Sequence, residues 1–154
     1  MVEYVEYPFP FGYLKIGYDG DVITVLKKTD EMGTKGKRTE LTDMVYHQVT
    51  EYLQGKRKIF TFPYELRGTE FQKKVWEELC KIPYGETRTY KEIAVAIHNP
   101  KASRAVGMAN NKNPIAIAVP CHRVIGANGK LIGYAGGLEM KKALLHLEQV
   151  TIFH

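Results

Sequence analysis

A break at Pro63-Tyr64 divides the chain into two stretches whose apolar residues repeat differently, and this division constrains the fold more than any other feature. Before the break, Tyr13 to Gly17 and Val22 to Leu26 are β-rich runs on either side of Asp19-Gly20-Asp21, which reads as a hairpin turn. Lys27 to Lys37 follows as a charged, glycine-containing loop. From Leu41 the spacing becomes helical, with Leu41, Met44, Val45, Val49, Tyr52 and Leu53 on one stripe, Thr39 or Thr42 to cap it and Gly55 to stop it. A short strand at Lys58 to Phe62 then leads into the break. Residues 1–63 are expected to form an α/β support domain and 64–154 a second, mainly α-helical one.

The second stretch opens with a helix expected over Thr69 to Lys81, ended by Ile82-Pro83-Tyr84-Gly85. Thr89-Tyr90-Lys91-Glu92 matches a capping box, placing Tyr90 in the first turn of a helix that buries Ile93, Ala94 and Ile97. Asn99-Pro100 reads as the cap and first residue of another helix running to Asn111. Two short helices joined this tightly suggest a helix-turn-helix. In the second, Ala102, Ala105, Val106 and Ala109 fall on the core-facing stripe, leaving Ser103, Arg104, Gly107, Met108 and Asn111 outward. A helical glycine costs about 0.5–1 kcal/mol relative to alanine, so Gly107 points to close approach by another molecule's backbone. The small outward residues suit a narrow groove better than a major groove, which is read by long bidentate side chains.

Beyond Asn113-Pro114, the apolar run Ile115 to Val119 reads as a buried strand delivering Pro120-Cys121-His122 at its end. Gly126 to Gly129 is a turn, Gly133-Tyr134-Ala135-Gly136-Gly137 a loop, and Leu138 to Glu148 a terminal helix with Leu144, Leu145 and Leu147 turned inward. No apolar run approaches the length needed to cross a bilayer, and Met1 to Phe11 lacks the basic start and apolar stretch of a secretory signal, so a cytoplasmic protein is expected. The net charge of +5 favours a polyanionic partner, because neutralising phosphates releases their counterions.

Cys80 and Cys121 are too few and too far apart for a disulfide framework or paired zinc-ligand spacing, so no structural metal is expected. Cys80 follows Phe71, Val75, Trp76 and Leu79 at helical spacing and reads as a buried apolar thiol. Cys121 sits between a proline and two candidate cations, His122 and Arg123. A thiol becomes an effective nucleophile only as the thiolate, which needs a base or cation nearby. Neighbours on a strand point to opposite sides, so His122 would reach the sulfur through a turn or a bridging water. Glu148 could orient the imidazole through its other nitrogen if the last helix packs behind. On these residues alone, a pair that fills a core, a thiol protease and a helix-turn-helix regulator all stay open.

Pro120-Cys121-His122-Arg123-Val124-Ile125 resembles the active-site signature of the O6-alkylguanine-DNA alkyltransferases, the methylated-DNA-protein-cysteine methyltransferases. Thr89-Tyr90, Ser103-Arg104-Ala105-Val106-Gly107, Asn113-Pro114, the Gly133 to Gly137 segment and the Leu-x-x-Glu ending at Glu148 follow in matching order, and the similarity runs from Phe71 to Glu148. The resemblance implies a ribonuclease-H-like α/β domain followed by a winged-helix-like helix-turn-helix domain. It also implies a monomer that needs no cofactor and takes the alkyl group of O6-alkylguanine in double-stranded DNA irreversibly onto Cys121, with O4-alkylthymine a further candidate substrate. His122, Glu148 and Tyr90 would serve the chemistry, and Asn113, Val124, Tyr134 and Ala135 the flipped base. Tyr90, Ser103, Arg104, Ala105, Gly107 and Arg123 would meet the minor groove, Arg104 filling the gap in the stack.

Two departures stand out. Some members carry Ser or Arg where this chain has Ala135, which leaves only a backbone N–H to serve the substrate oxygen, and some hold zinc through N-terminal cysteines absent here. The nearest alternative, a non-catalytic alkyltransferase-like protein that binds the lesion, lacks the acceptor cysteine.

Overall fold

The computed structural model describes the chain except residues 34, 35, 132, 135, 153 and 154, with 150–152 given as helical backbone. Three strands, β1 (Glu3–Phe9), β2 (Gly12–Asp19) and β3 (Val22–Thr29), form an antiparallel sheet in that order. Leu14 and Ile16 of β2 and Ile23 and Leu26 of β3 are fully buried. They meet the Val45, Val49 and Tyr52 face of α1 (Glu40–Leu53), whose first turn is closed by a reciprocal box between Thr39 and Thr42. Met44, expected on that face, is exposed.

The sequence gives little sign of β1, because its acidic residues and Pro8 disguise the alternation. It lies at the sheet edge, where a missing N–H is tolerated. Tyr7 anchors it, stacking on Tyr46 at 4.4 Å and hydrogen bonding through its hydroxyl to Thr42 and Asp43. Conversely, Lys58 to Phe62 is not a strand. The Thr61 N–H donates to the Gln48 side-chain oxygen at 2.9 Å, so a side-chain amide takes the place of a ladder partner.

In the second stretch, α2 (Glu70–Leu79) starts from a Thr69–Gln72 capping box and α3 (Tyr90–Ala96) from the expected Thr89–Glu92 box. The helix-turn-helix is completed by α4 (Ser103–Asn111), and α5 (Leu138–Ile152) closes the chain. Asn99 does not cap α4. Its carbonyl instead accepts from the Ala102 N–H in a turn following His98, whose φ is 62°, so the helix begins three residues later than expected. Ala105 is exposed, because α4 packs through Val106, Ala109 and Asn110. Cys80 is also exposed. It follows the last residue of α2 as the C-cap, where the chain leaves the helical stripe.

Ile115 to Val119 does not form a strand either. Ile115 makes one parallel bridge to Leu26, and the chain then turns through Ile117 at a φ of 72°. Leu26 donates to Pro114 O and accepts from Ala116 N–H, both at 2.8 Å, while Ile23 is held in the same way between Pro63 and Glu65. These contacts cover the outer edge of β3 with the second stretch and deny it to other chains. Within the second stretch, buried Trp76 donates from Nε1 to Ala109 O at 2.8 Å, fixing α2 against α4. Trp76→Ala is therefore expected to lower stability by about 3–5 kcal/mol, read from the urea midpoint.

Candidate active site

Cys121 begins a single turn of 3-10 helix, Cys121–Arg123, which runs into a short strand, β5 (Val124–Ile125). That strand pairs in parallel with β4 (Arg88–Thr89), the two residues directly before Tyr90. One small ladder thus registers the Tyr90 end of α3 against the cysteine turn. Two amides, one in the last turn of α4 and one just beyond the helix, brace the same turn. Asn113 donates to Val119 O at 2.8 Å and accepts from Ile115 N–H, while Asn110 donates to Cys121 O at 3.3 Å.

Behind the turn lies a buried polar cluster. Glu148 of α5 sits 2.7 Å from His122 Nε2, accepts from Arg123 Nε and a terminal Arg123 nitrogen at 2.8 and 3.0 Å, and accepts from the Tyr52 hydroxyl and Gly85 N–H. Arg123 also donates to Ile82 O at 2.8 Å and lies over the Tyr84 ring. Burial alone would raise the Glu148 carboxyl, but the hydrogen bonds from His122, Arg123 and Tyr52 outweigh it and hold it at about 2. Burial also lowers His122, against the opposing pull of Glu148. The imidazole is therefore neutral beside an ionised carboxylate, which assigns the proton to Nε2 and leaves Nδ1 as the acceptor nitrogen. That Nδ1 is buried and has no protein partner.

Cys121 is itself buried, and burial pushes its thiol up to about 11 despite an Asn113 hydrogen bond and the Lys141 charge pulling the other way. Lys141 is fully buried on α5, donates to Gly133 O at 3.2 Å and lies 5.9 Å from the Tyr90 ring centre. Burial draws its ammonium down to about 8, against the influence of Cys121. A cavity of about 330 Å³ reaches Cys121 between Asn111, Asn113, Tyr134, Gly136 and Met140, a size suited to a small ligand. A larger cleft of about 480 Å³ between α2 and α3 includes none of these residues.

The structure thus brings Cys121, His122, Glu148, Asn113 and Tyr134 together, with Tyr90 half-buried nearby and raised by burial and by Cys121. Val124 follows the turn directly, and Ala135 lies outside the described residues. On α4, Arg104 and Ala105 are exposed, and Ser103 and Gly107 partly so. A Cβ added at Gly107 would meet only the Tyr90 ring, at an ordinary 3.8 Å, so packing within the chain does not demand glycine there. Arg123, expected at the minor groove, is buried here, and its guanidinium donates to Glu148 and to Ile82 O.

Tyr52, Lys141 and Asn110 were not singled out by the sequence. Lys141 had a signal, since it stands with Leu144, Leu145 and Glu148 at i, i+3, i+4 and i+7 on the inward stripe of α5. Tyr52 reads only as apolar core, and Asn110 as an ordinary surface residue.

Removing the charge while keeping the shape, as in Glu148→Gln, leaves Arg123 buried without its counter-ion and should cost about 3–5 kcal/mol of stability. The folded Glu148 carboxyl lies below its ordinary 4.5, so its contribution is complete above that pH and lost as pH falls toward about 2. Urea midpoints measured across that window should fall more steeply for the wild type than for the variant.

Residues 2–66 match the family described as the 6-O-methylguanine DNA methyltransferase ribonuclease-like domain, and residues 70–150 match the DNA binding domain of the same methyltransferases. A methylated-DNA-protein-cysteine methyltransferase of Methanosarcina mazei is 65% identical over 105 residues, which cover 68% of this chain and 66% of that protein. A Mycobacterium tuberculosis protein of the same name is 46% identical over 155 residues, covering 97% of this chain and 93% of its own. The crystal structure of the M. tuberculosis O6-methylguanine methyltransferase superposes with a TM-score of 0.88 at 44% identity, with full coverage of both chains. The structure of M. tuberculosis OGT in complex with DNA gives the same score and identity over 98% of this chain and 99% of that one. With both of its parts matched and the cysteine turn intact, the chain belongs to the 6-O-methylguanine DNA methyltransferase family.

Proposed function

We propose that this protein repairs DNA by direct reversal, moving the alkyl group of O6-alkylguanine onto Cys121 in a single turnover. The observation that carries the reading is the proton arrangement at the cysteine turn. A buried, neutral thiol adjoins a histidine whose Nε2 is held by an ionised carboxylate and whose Nδ1 is an unpartnered acceptor. In the reaction, the Cys121 S–H proton passes to His122 Nδ1 through a water, and Glu148 stabilises the resulting imidazolium. The sulfur lone pair attacks the alkyl carbon, the S–C bond forms as the C–O6 bond breaks, and the purine leaves with the electron pair as an anion, which takes a proton at N1 from water while the His122 imidazolium returns its proton to water. Tyr90 offsets its charge by donating toward N3. The products are intact guanine and a thioether, which has no good leaving group, so the protein is consumed.

DNA is the partner. The small outward face of α4 suits the minor groove, with Ser103, Ala105 and Gly107 allowing close approach and Arg104 holding the gap left by the flipped nucleotide. Extrusion costs a few kcal/mol and costs least for weakly paired, damaged bases. Asn113 keeps the cysteine turn in place, while Tyr134 flanks the base and the backbone carbonyls of Cys121 and Val124 accept from its exocyclic amine. A monomer acting in the cytoplasm completes the reading, and no helix among the described residues is long and apolar enough to cross a membrane.

Two experiments test it. Incubation with O6-methylguanine DNA should add one methyl group per molecule, found on the Cys121 peptide. Cys121→Ser should abolish the transfer while keeping DNA binding, and Cys80→Ala should leave transfer intact. Repaired guanine exceeding the amount of protein would contradict the single turnover.

Arg104→Ala should slow repair in duplex DNA by roughly ten- to a hundredfold, because about 1–3 kcal/mol of the extrusion cost is no longer offset. Reaction with free O6-benzylguanine, which needs no flipping, should be largely retained. Equal slowing on both substrates in single-turnover assays would rule out the stacking role.

A further inference from the structure

We infer that Asn110 is a specificity-determining residue, its side-chain oxygen accepting a hydrogen bond from the exocyclic amine of the bound purine. The inference rests on the proposed transfer from guanine and adds a contact to it. Asn110 lies in the last turn of α4 at 1% exposure, within the core and away from the solvated face where a helical asparagine is usually found. Its Nδ2 donates to Cys121 O at 3.3 Å. A carbonyl can only accept, so this bond fixes which end of the amide faces the cysteine turn. The other end, Oδ1, is buried with no hydrogen-bond partner in the protein.

Nearly all buried polar atoms in folded proteins are paired, and an exception needs an explanation. Here three of the five such side-chain atoms among the described residues belong to Asn110, His122 and Tyr134. Asn110 bonds the Cys121 carbonyl, His122 follows Cys121 directly, and Tyr134 lines the cavity that reaches Cys121. Three of the five therefore lie at the cysteine turn or at the cavity beside it. His122 Nδ1 is accounted for by the thiol proton. Asn110 Oδ1 needs a donor, and the atoms of an O6-alkylated guanine divide clearly. O6, N1, N3 and N7 carry no hydrogen, so the 2-amino group is the only donor on the base.

In the proposed complex that amine is directed at the carbonyls of Cys121 and Val124. The two polar atoms of an amide share one carbon, so a donor arriving at the Cys121 carbonyl comes beside the Asn110 amide already bonded to it. Asn110 thus holds the carbonyl with one end and receives the amine with the other. A base without the amine leaves Oδ1 unpaired in a closed site, and a site built around a buried polar contact rejects such an analogue strongly.

The test compares single-turnover rates on duplex DNA carrying O6-methylguanine with those on O6-methylhypoxanthine, which differs only by lacking the 2-amino group. Wild-type protein should prefer the guanine substrate. Asn110→Leu, of similar volume, and Asn110→Ala, which is smaller, should each reduce that preference by roughly tenfold, the effect of one lost hydrogen bond. The ratio of two rates on the same protein cancels any change in its folded fraction. A residue that only braces the turn would slow both substrates equally, and an unchanged preference would overturn the inference. Wild-type protein that shows no preference between the substrates would also overturn it. Failure of the wild type to transfer from either substrate would overturn the proposed function together with this contact, so the two failures are told apart.

Discussion

The Glu148 carboxylate is the point at which the separate parts of the chain meet. It collects hydrogen bonds from Tyr52 on α1, Gly85 in the loop after α2, and His122 and Arg123 on the cysteine turn. Burying an ion pair is favourable only when the remaining lone pairs and protons are also satisfied. Here five hydrogen bonds on one carboxylate meet that condition. The arrangement fixes the imidazole tautomer, places the cysteine turn against α5 and joins the N-terminal sheet-and-helix layer to the site through Tyr52. The role of α1 in the chemistry is indirect, but it is specific to one hydroxyl.

A consequence is that the two residues after the nucleophile do not stabilise its thiolate by positive charge. Arg123 is neutralised by Glu148, and burial keeps His122 uncharged. The remaining cation beside the thiol is Lys141, whose own ammonium is weakened by burial. The resting protein therefore holds a protonated, inert cysteine. In the proposed reaction, ionisation is tied to the proton path through His122, which suits a single turnover by keeping the thiol from other electrophiles.

Much of this was legible in residue patterns. The Thr69 and Thr89 capping boxes, the Tyr90 position, the hairpin and the terminal helix follow from local rules that tertiary packing leaves alone. The chemistry of the cysteine motif was legible only through the family resemblance, because on the residues alone a Cys-His pair that fills a core stayed open, and Cys121, His122 and Arg123 are indeed all buried. What sequence hid depends on partners distant in the chain. β1 is stabilised by Tyr7 meeting Tyr46 and Asp43, Ile115 bridges Leu26 where a strand was expected, and Arg123 turns inward because Glu148 is there to receive it. Cys80 misled because helical spacing was carried one residue past the helix end. Asn110 and Lys141 are polar residues buried by the site itself, and residue type alone places both on the surface.

The central claim is that Cys121 rests as a neutral thiol and is ionised only through the histidine. Thiolate absorbance titrated from neutral to alkaline pH, taken as the difference between wild type and Cys121→Ser, reads this directly. The account predicts no thiolate from Cys121 at neutral pH and a titration well above the ordinary thiol range, near about 11. A Cys121 thiolate already present at neutral pH would contradict it.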